Sequence, residues 1–198
     1  MSPLAALLAL AAAPPPLTDA AQAIDGLQVE LRYGAPDNFM GKAVYPKDAR
    51  CLLLAPAVAA LRRAAQSVAA AGFRLRAYDC YRPRAVQYEM WKVFPKVGFV
   101  ADPATGSHHN RGAAVDLTLA LPDGGPVEMP TAFDAFTRAA HHGYQGGSEA
   151  SRRHRAVLRA AMEDAGFERN PMEWWHYQLP DAVRYPLRDE PFAPDAGR

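Results

Sequence analysis

The sequence predicts an α+β fold. Strand-period and helix-period segments are mixed along the chain without regular βαβ alternation. The 198 residues suit one domain with room for a core, and no internal repeat or linker divides them. Residues 27–33 alternate apolar and polar side chains, with Leu27, Val29, Leu31 and Tyr33 on one face, as a half-buried strand does. The stretch Gly34-Ala35-Pro36-Asp37-Asn38 breaks it. A helix is expected over 56–71, where Pro56 suits a first turn, Ala, Leu and Arg fill the interior, and Gly72 supplies the stop. Residues 73–78 alternate again, with Phe73, Leu75 and Ala77 facing one way and Arg74, Arg76 and Tyr78 the other. Residues 79–82 leave that strand's end, and Pro83 starts a second helix over 83–94. A loop follows over 95–105, then a strand over 113–121 and a strong turn at Pro122-Asp123-Gly124-Gly125-Pro126. A third helix is expected over 149–166, closed by its glycine, and a last strand over 174–179. From Asp189 the chain is Pro-rich and expected to be loose.

Charges nearly cancel, at +1, and about half the residues (49%) are hydrophobic. No basic face of the kind that binds nucleic acid stands out. The pairs Arg62-Arg63 and Arg152-Arg153 read as solvated helix faces. No apolar run approaches the ~20 residues of a membrane span. Residues 4–13 form a short Ala/Leu-rich run ahead of Pro14-Pro15-Pro16. That length fits the apolar centre of a secretory signal, and Ala21-Gln22-Ala23 offers a small-x-small cleavage pattern. Residues 1–23 are therefore expected to be a signal peptide or a disordered leader, and 24–198 a single domain. Export to the periplasm or beyond is favoured over a cytoplasmic location. Cys51 and Cys80 bear on the same question. In an oxidising compartment they can pair, closing a loop of roughly 30 residues and stabilising by ~3 kcal/mol. In a reducing one they are two buried thiols.

Two short blocks carry the chemistry: Ser107-His108-His109-Asn110-Arg111-Gly112-Ala113-Ala114-Val115-Asp116 and Glu173-Trp174-Trp175-His176. A turn at Arg111-Gly112 would bring His109 back over the start of the strand that holds Asp116. His176 would add a third ligand from another strand. His109, Asp116 and His176 then make an N,N,O set suited to zinc, with a fourth position open to water. Bound zinc can lower the pKa of water toward ~7. Glu173 precedes His176 by three residues, an offset that puts side chains on opposite faces of an extended chain. The chain must therefore turn between them if both face the metal, and Glu173 would then serve as proton carrier. Arg82, at a strand-to-helix junction, has the fixed charge to stabilise an oxyanion. Singly, each residue has an ordinary reading: Asp116 as a carboxylate bonded to backbone, His109 as a loop histidine, Trp174-Trp175 as core.

The ordered set Ser107-x-His109-x-x-Gly112-x-Ala114-x-Asp116, then Glu173-Trp174-Trp175-His176, closely resembles the VanX-type D-alanyl-D-alanine dipeptidases. These belong to the zinc D,D-peptidases that share a fold with lysostaphin-like and hedgehog domains. Asp37-Asn38-Phe39-Met40-Gly41-Lys42, Tyr78-Asp79-Cys80-Tyr81-Arg82-Pro83 and Phe133-Asp134 extend the likeness over residues 33–188. The resemblance implies a mainly antiparallel central sheet flanked by helices. It implies one zinc ion held by His109, Asp116 and His176, Glu173 as general base and acid, and Arg82 at the scissile carbonyl. Tyr33, Ser107 and Asp134 match positions used around the dipeptide, with Asp134 meeting the substrate's ammonium. Their ordinary readings are half-buried core, a turn residue and a helix N-cap. His108 stands where a small serine is common, and the spacing to Gly112 and Asp116 favours His109 over it as the ligand. His141-His142 read as loop residues, and Cys80 replaces a glycine seen in some members.

The expected activity is hydrolysis of D-alanyl-D-alanine to two D-alanines. The rival readings are a related D,D-carboxypeptidase or endopeptidase acting on peptidoglycan, and a non-catalytic zinc module that binds wall fragments. Neither nucleic acid nor a membrane span is expected.

Overall fold

The computed structural model describes residues 14–192. In chain order the elements are β1 (Leu17–Asp19), α1 (Ala20–Ala23), β2 (Gln28–Val29), β3 (Leu52–Leu54), α2 (Ala55–Ala70), β4 (Arg74–Asp79), α3 (Arg84–Val93), β5 (Ala114–Ala120), α4 (Glu149–Asp164), β6 (Glu168–Arg169) and β7 (His176–Gln178). The main sheet has the order β2-β4-β5-β7-β6, and β1 pairs with β3 in a separate two-stranded ribbon. Only β2 and β4 run parallel; the other three pairings of the sheet are antiparallel. This is the expected α+β architecture.

The two long helices form for reasons visible in their sequence. In α2 the residues Ala57, Val58, Leu61, Ala64 and Val68 are buried, a stripe at helical spacing that faces the core. Pro56 lies in the first turn, and Gly72, at φ +84, ends the helix. The Phe73 amide then reaches back to the Val68 carbonyl at 2.9 Å, satisfying an orphan acceptor of the last turn. Gly166-Phe167 repeats the device on α4, with Phe167 N–H donating to Met162 at 3.0 Å. Ser148 caps the start of α4 by accepting from the Ser151 amide at 3.0 Å. Both helices pack on the sheet side that presents Leu75, Ala77, Val115, Leu117, Leu119 and Tyr177. Asp116 and His176 project from the opposite side.

One irregularity decides which residues share that opposite side. Ala77 pairs with Leu117 but Asp79 pairs with Asp116, so β4 carries an extra residue at Tyr78. Strict alternation from Leu75 and Ala77 would send Asp79 into the helix-side core; the bulge turns it toward Asp116.

Several boundaries differ from expectation. The strand expected over 27–33 pairs with β4 only at Gln28 and Val29, and a 3-10 turn at Arg32–Gly34 follows. That turn carries Tyr33 out of the edge strand. The strand expected from Trp174 begins at His176, because residues 173–176 form a turn. Asp189 and Glu190 are not loose: Asp189 accepts from the Ala85 amide at 2.7 Å, and the Tyr81 hydroxyl donates to the Glu190 carbonyl at 2.9 Å. Residues 193–198 of the tail lie outside the described residues.

The leader reading also narrows. Residues 1–13 lie outside the described residues. Residues 17–23 are built into the domain: Leu17 pairs with Leu54, and the amide of fully buried Ala20 donates to the Cys51 carbonyl at 2.8 Å. Residues 17–23 thus pack as part of the domain that was expected to begin at residue 24. Among the described residues no helix is long and apolar enough to cross a membrane.

Candidate active site

His109, Asp116 and His176 come together because of three local features. Asp116 and His176 are direct cross-strand partners of β5 and β7, and such partners project side by side from one face. His109 opens a 3-10 turn, His109–Arg111, that Gly112 closes at φ +67. Glycine suits position 112 because the conformation is left-handed, and a Cβ there would lie 2.4 Å from a Leu17 methyl, which would have to move. The turn folds His109 over the start of β5, as its spacing to Asp116 suggests.

The three donor atoms form a small triangle. His109 Nε2 lies 3.2 Å from Asp116 Oδ1 and 3.1 Å from His176 Nδ1, and His176 Nδ1 lies 2.9 Å from Asp116 Oδ1. The outer ring nitrogens each have an oxygen neighbour. His109 Nδ1 is 2.7 Å from the Cys80 carbonyl, and His176 Nε2 is 3.1 Å from Gln178 Oε1. Each of those acceptors calls for an N–H, so the two inner nitrogens turn lone pairs toward each other and toward a carboxylate. Three buried electron-rich atoms at this range suit a positive charge between them, a proton or a metal ion. The titration shifts express the same preference. Burial opposes a charge on His109, yet Asp116 and Asp79 raise its proton affinity above the ordinary histidine range. Burial opposes ionisation of Asp116, yet the His109 and His176 imidazoles hold its carboxyl well below the usual range. The N,N,O donor set is of a kind that binds a small divalent metal ion.

Glu173 stands beside the triangle and outside it. Two successive turns, Glu173 N–H to Asn170 O and His176 N–H to Glu173 O, both at 3.3 Å, supply the bend that the three-residue offset required. The Glu173 Oε2 atom is 4.0 Å from His176 Nδ1 and accepts from the Asn170 side-chain amide at 2.7 Å. Burial first, then the charges of Asp116 and Asp134, push its carboxyl well above the ordinary range.

Arg82 is buried and held from behind. Its Nε and Nη2 donate to Asp79 Oδ2 at 3.0 and 2.5 Å, and its Nη1 donates to Gln87 Oε1 at 2.8 Å. Asp79 is itself anchored by the Tyr45 hydroxyl at 2.7 Å and the Cys80 amide at 2.9 Å. A guanidinium has five N–H groups, so two remain free of these contacts. The Tyr33 ring lies 5.3 Å from the guanidinium carbon, and the Tyr33 hydroxyl donates to the Asp134 carboxylate at 3.1 Å. Asp134 starts no helix; it sits at φ +59, one of two non-glycine residues with positive φ among the described residues. Such a conformation is costly for a side-chain-bearing residue and is often found at functional sites. Burial, followed by the charge of Asp116, raises the Asp134 carboxyl to about 8.

His109, Asp116, His176, Glu173, Arg82 and Asp134 line one cavity of about 320 Å³, whose apolar walls include Phe39, Phe99, Phe136 and Trp175. Ser107 lines it too, and its hydroxyl accepts from the His109 amide at 3.2 Å, so it braces the ligand turn. His108 lines the cavity but is not part of the ligand group. His142 lies in a loop as expected, and it is buried there against Tyr177, with ring centroids 5.8 Å apart. Cys51 and Cys80 are bonded, with Cα atoms 5.1 Å apart. Sequence reasoning missed Asp79, Gln87, Asn170 and Gln178. Gln178 had a usable signal, since it lies two residues from His176 on the same strand face.

A family model described as D-ala-D-ala dipeptidase, peptidase family M15, matches residues 15–193. The chain is 38% identical over 177 residues to a D-alanyl-D-alanine dipeptidase of Escherichia coli (strain K12), covering 89% of this chain and 91% of that one. It is 34% identical over 181 residues to an Enterococcus faecalis protein of the same name, covering 80% and 88%. A Streptomyces coelicolor protein, also of that name, is 33% identical over 176 residues, covering 79% and 87%.

Proposed function

The chain belongs to the D-Ala-D-Ala dipeptidase family of metallopeptidases, and from that premise we propose that it hydrolyses D-alanyl-D-alanine to two D-alanines with one zinc ion per chain. The observation that carries the reading is the triangle of His109 Nε2, Asp116 Oδ1 and His176 Nδ1 with Glu173 beside it and outside it. Tetrahedral zinc with ligands at about 2.0–2.1 Å spaces them about 3.3 Å apart, and the observed edges are 2.9–3.2 Å. Zinc held there would supply Lewis acidity and lower the pKa of water toward ~7.

The chain's own residues do the rest. Glu173 takes a proton from the attacking water and delivers it to the leaving amine. Its high proton affinity in the cation-free site suits the second half of that task. Asn170 keeps the carboxylate turned toward the ligand set. Arg82 presents its two uncommitted N–H groups to the oxygen that gains charge as the carbonyl becomes tetrahedral. Asp79 and Gln87 fix the guanidinium, so little reorganisation is needed. Asp134, with Tyr33, receives the substrate ammonium. An extended dipeptide spans only about 7 Å, and a cavity of about 320 Å³ sits at the small end of ligand sites, roughly 300–1,000 Å³. This size supports a dipeptide over a long peptidoglycan stem, the substrate of the carboxypeptidase and endopeptidase readings. A buried base and a clamped arginine are superfluous in a module that only binds.

Export fits the same picture. The apolar run over 4–13 and the Cys51–Cys80 bond suit an oxidising compartment, the periplasm or beyond.

The test is release of D-alanine from D-Ala-D-Ala by purified protein, with and without a zinc chelator. Chelator-sensitive release is expected. Absence of zinc-dependent cleavage of any D,D-dipeptide would overturn the proposal.

A further inference from the structure

We propose that the Cys51–Cys80 bridge is a positioning device for the metal ligands, acting through the main chain of residues 79–82. The outer nitrogen of the His109 ring, Nδ1, is hydrogen-bonded to the Cys80 carbonyl at 2.7 Å, with Asp79 Oδ2 farther off at 3.6 Å. A main-chain carbonyl is not changed by replacing its own side chain. Its place depends on what holds the segment, and here the segment leaves β4 just past the bulge, after Asp79, the last residue that pairs with β5.

Two ties hold it to β3. The Tyr81 amide donates to the Leu52 carbonyl at 2.9 Å. The second tie is the sulfur bridge, which joins residue 80 to residue 51, directly before β3, across a separation of 29 residues. Cys51 is itself fixed, since its carbonyl accepts from the Ala20 amide at 2.8 Å. Both cysteines are about 1% exposed. The bridge therefore fastens the segment at the residue whose carbonyl aims His109. The neighbouring residue carries the second consequence: Asp79 accepts from the Cys80 amide through Oδ1 and grips Arg82 through Oδ2. Movement of Cys80 displaces the outer partner of a ligand and the anchor of Arg82 together.

Loss of an outer partner of a metal-bound histidine typically weakens metal affinity 10- to 100-fold. A bridge that served stability alone would lower the melting temperature and leave the affinity of the folded protein unchanged.

The experiment uses the full chain carrying Cys51→Ala and Cys80→Ala together, with Leu158→Ala as a control. Leu158 is fully buried on α4, on the helix side of the sheet, and its truncation destabilises without touching residues 79–82. Zinc affinity is measured by competition with a chromogenic chelator, at a temperature where both variants are folded by circular dichroism. The double variant is expected to bind zinc at least about tenfold more weakly, with kcat falling more than KM changes. The control is expected to stay within about twofold of the parent. Unchanged affinity in the double variant, or a parallel loss in both, overturns the proposal.

Should the double variant fail to fold, the parent protein is reduced after folding with a trialkylphosphine. One phosphine and one water yield two thiols and the phosphine oxide, and alkylation with mass analysis identifies the reduced fraction. The same affinity thresholds apply to it. The activity part rests on the dipeptidase reading. If the parent protein lacks activity, that reading fails while the affinity comparison stands.

Discussion

The side-chain amide of Asn170 donates to Glu173 Oε2 at 2.7 Å across a single turn. Glu173 is thus aimed by a residue three positions away, whose own amide donates to the His176 carbonyl at 3.0 Å. Replacing Glu173 by Ala is expected to lower kcat by about 10²–10⁴-fold, the usual worth of a general base, with zinc content by elemental analysis unchanged. Asn170→Ala leaves the carboxylate but frees its rotamer, and kcat is expected to fall roughly 10- to 100-fold. Zinc lost along with Glu173 would make it a ligand and not a base.

Arg82→Lys keeps the charge and loses the fork. The ammonium cannot hold Asp79 and Gln87 while also presenting donors to a substrate oxygen. A drop in kcat of about 10²–10³-fold is expected, with a smaller change in KM, measured by D-alanine release. A variant as active as the parent would remove Arg82 from the reaction.

Metal binding should be visible without any assay of activity. At a zinc concentration near 100 times Kd, binding stabilises the folded state by about 2.7 kcal/mol. For a chain of this size that raises the melting temperature by roughly 5–10 °C. His176→Ala and His109→Ala should each abolish most of the shift. A full shift in either variant would show that zinc binds elsewhere.

Asp134 gives a pH signature in the metal-free protein. Its carboxyl sits near 8 when folded, against about 3.9 in an unfolded chain. Between those values the folded state holds a proton that the unfolded state releases. The group's contribution to stability is therefore greatest at or below about pH 4 and declines as pH rises toward 8. The melting temperature of Asp134→Asn should gain on the parent as pH goes from 5 to 8. A difference that is flat across this range would contradict a raised carboxyl. The same variant should raise KM for the dipeptide at least about tenfold, because a substrate ammonium loses its counter-charge.

The parts legible in the sequence are those governed by local rules. The helices over 56–71, 83–94 and 149–166 announce themselves through a proline start or a glycine stop and a 3.6-residue apolar stripe, and the structure moves their ends by one or two residues. The meeting of His109, Asp116 and His176 was legible because the ordered motif they belong to resembles a known family. The supporting residues were not, because their roles depend on pairing that no local pattern records. Asp79 reads as a core-facing strand residue until the bulge at Tyr78 reverses it. The ribbon of β1 and β3 is only three residues long on each side, too short for alternation to register. His142 is the loop residue it was expected to be, but its burial against Tyr177 is a tertiary contact that no local pattern records.

The contact between Leu17 and Gly112 reaches beyond the ligand turn to the life history of the polypeptide. Leu17 caps the tightest point of that turn from an edge strand only three residues long. A protease that nibbled the amino end past Pro16 would strip this cap and leave the turn exposed to water. How firmly that first strand stays zipped to β3 thus bears on how well the turn at Gly112 keeps its shape.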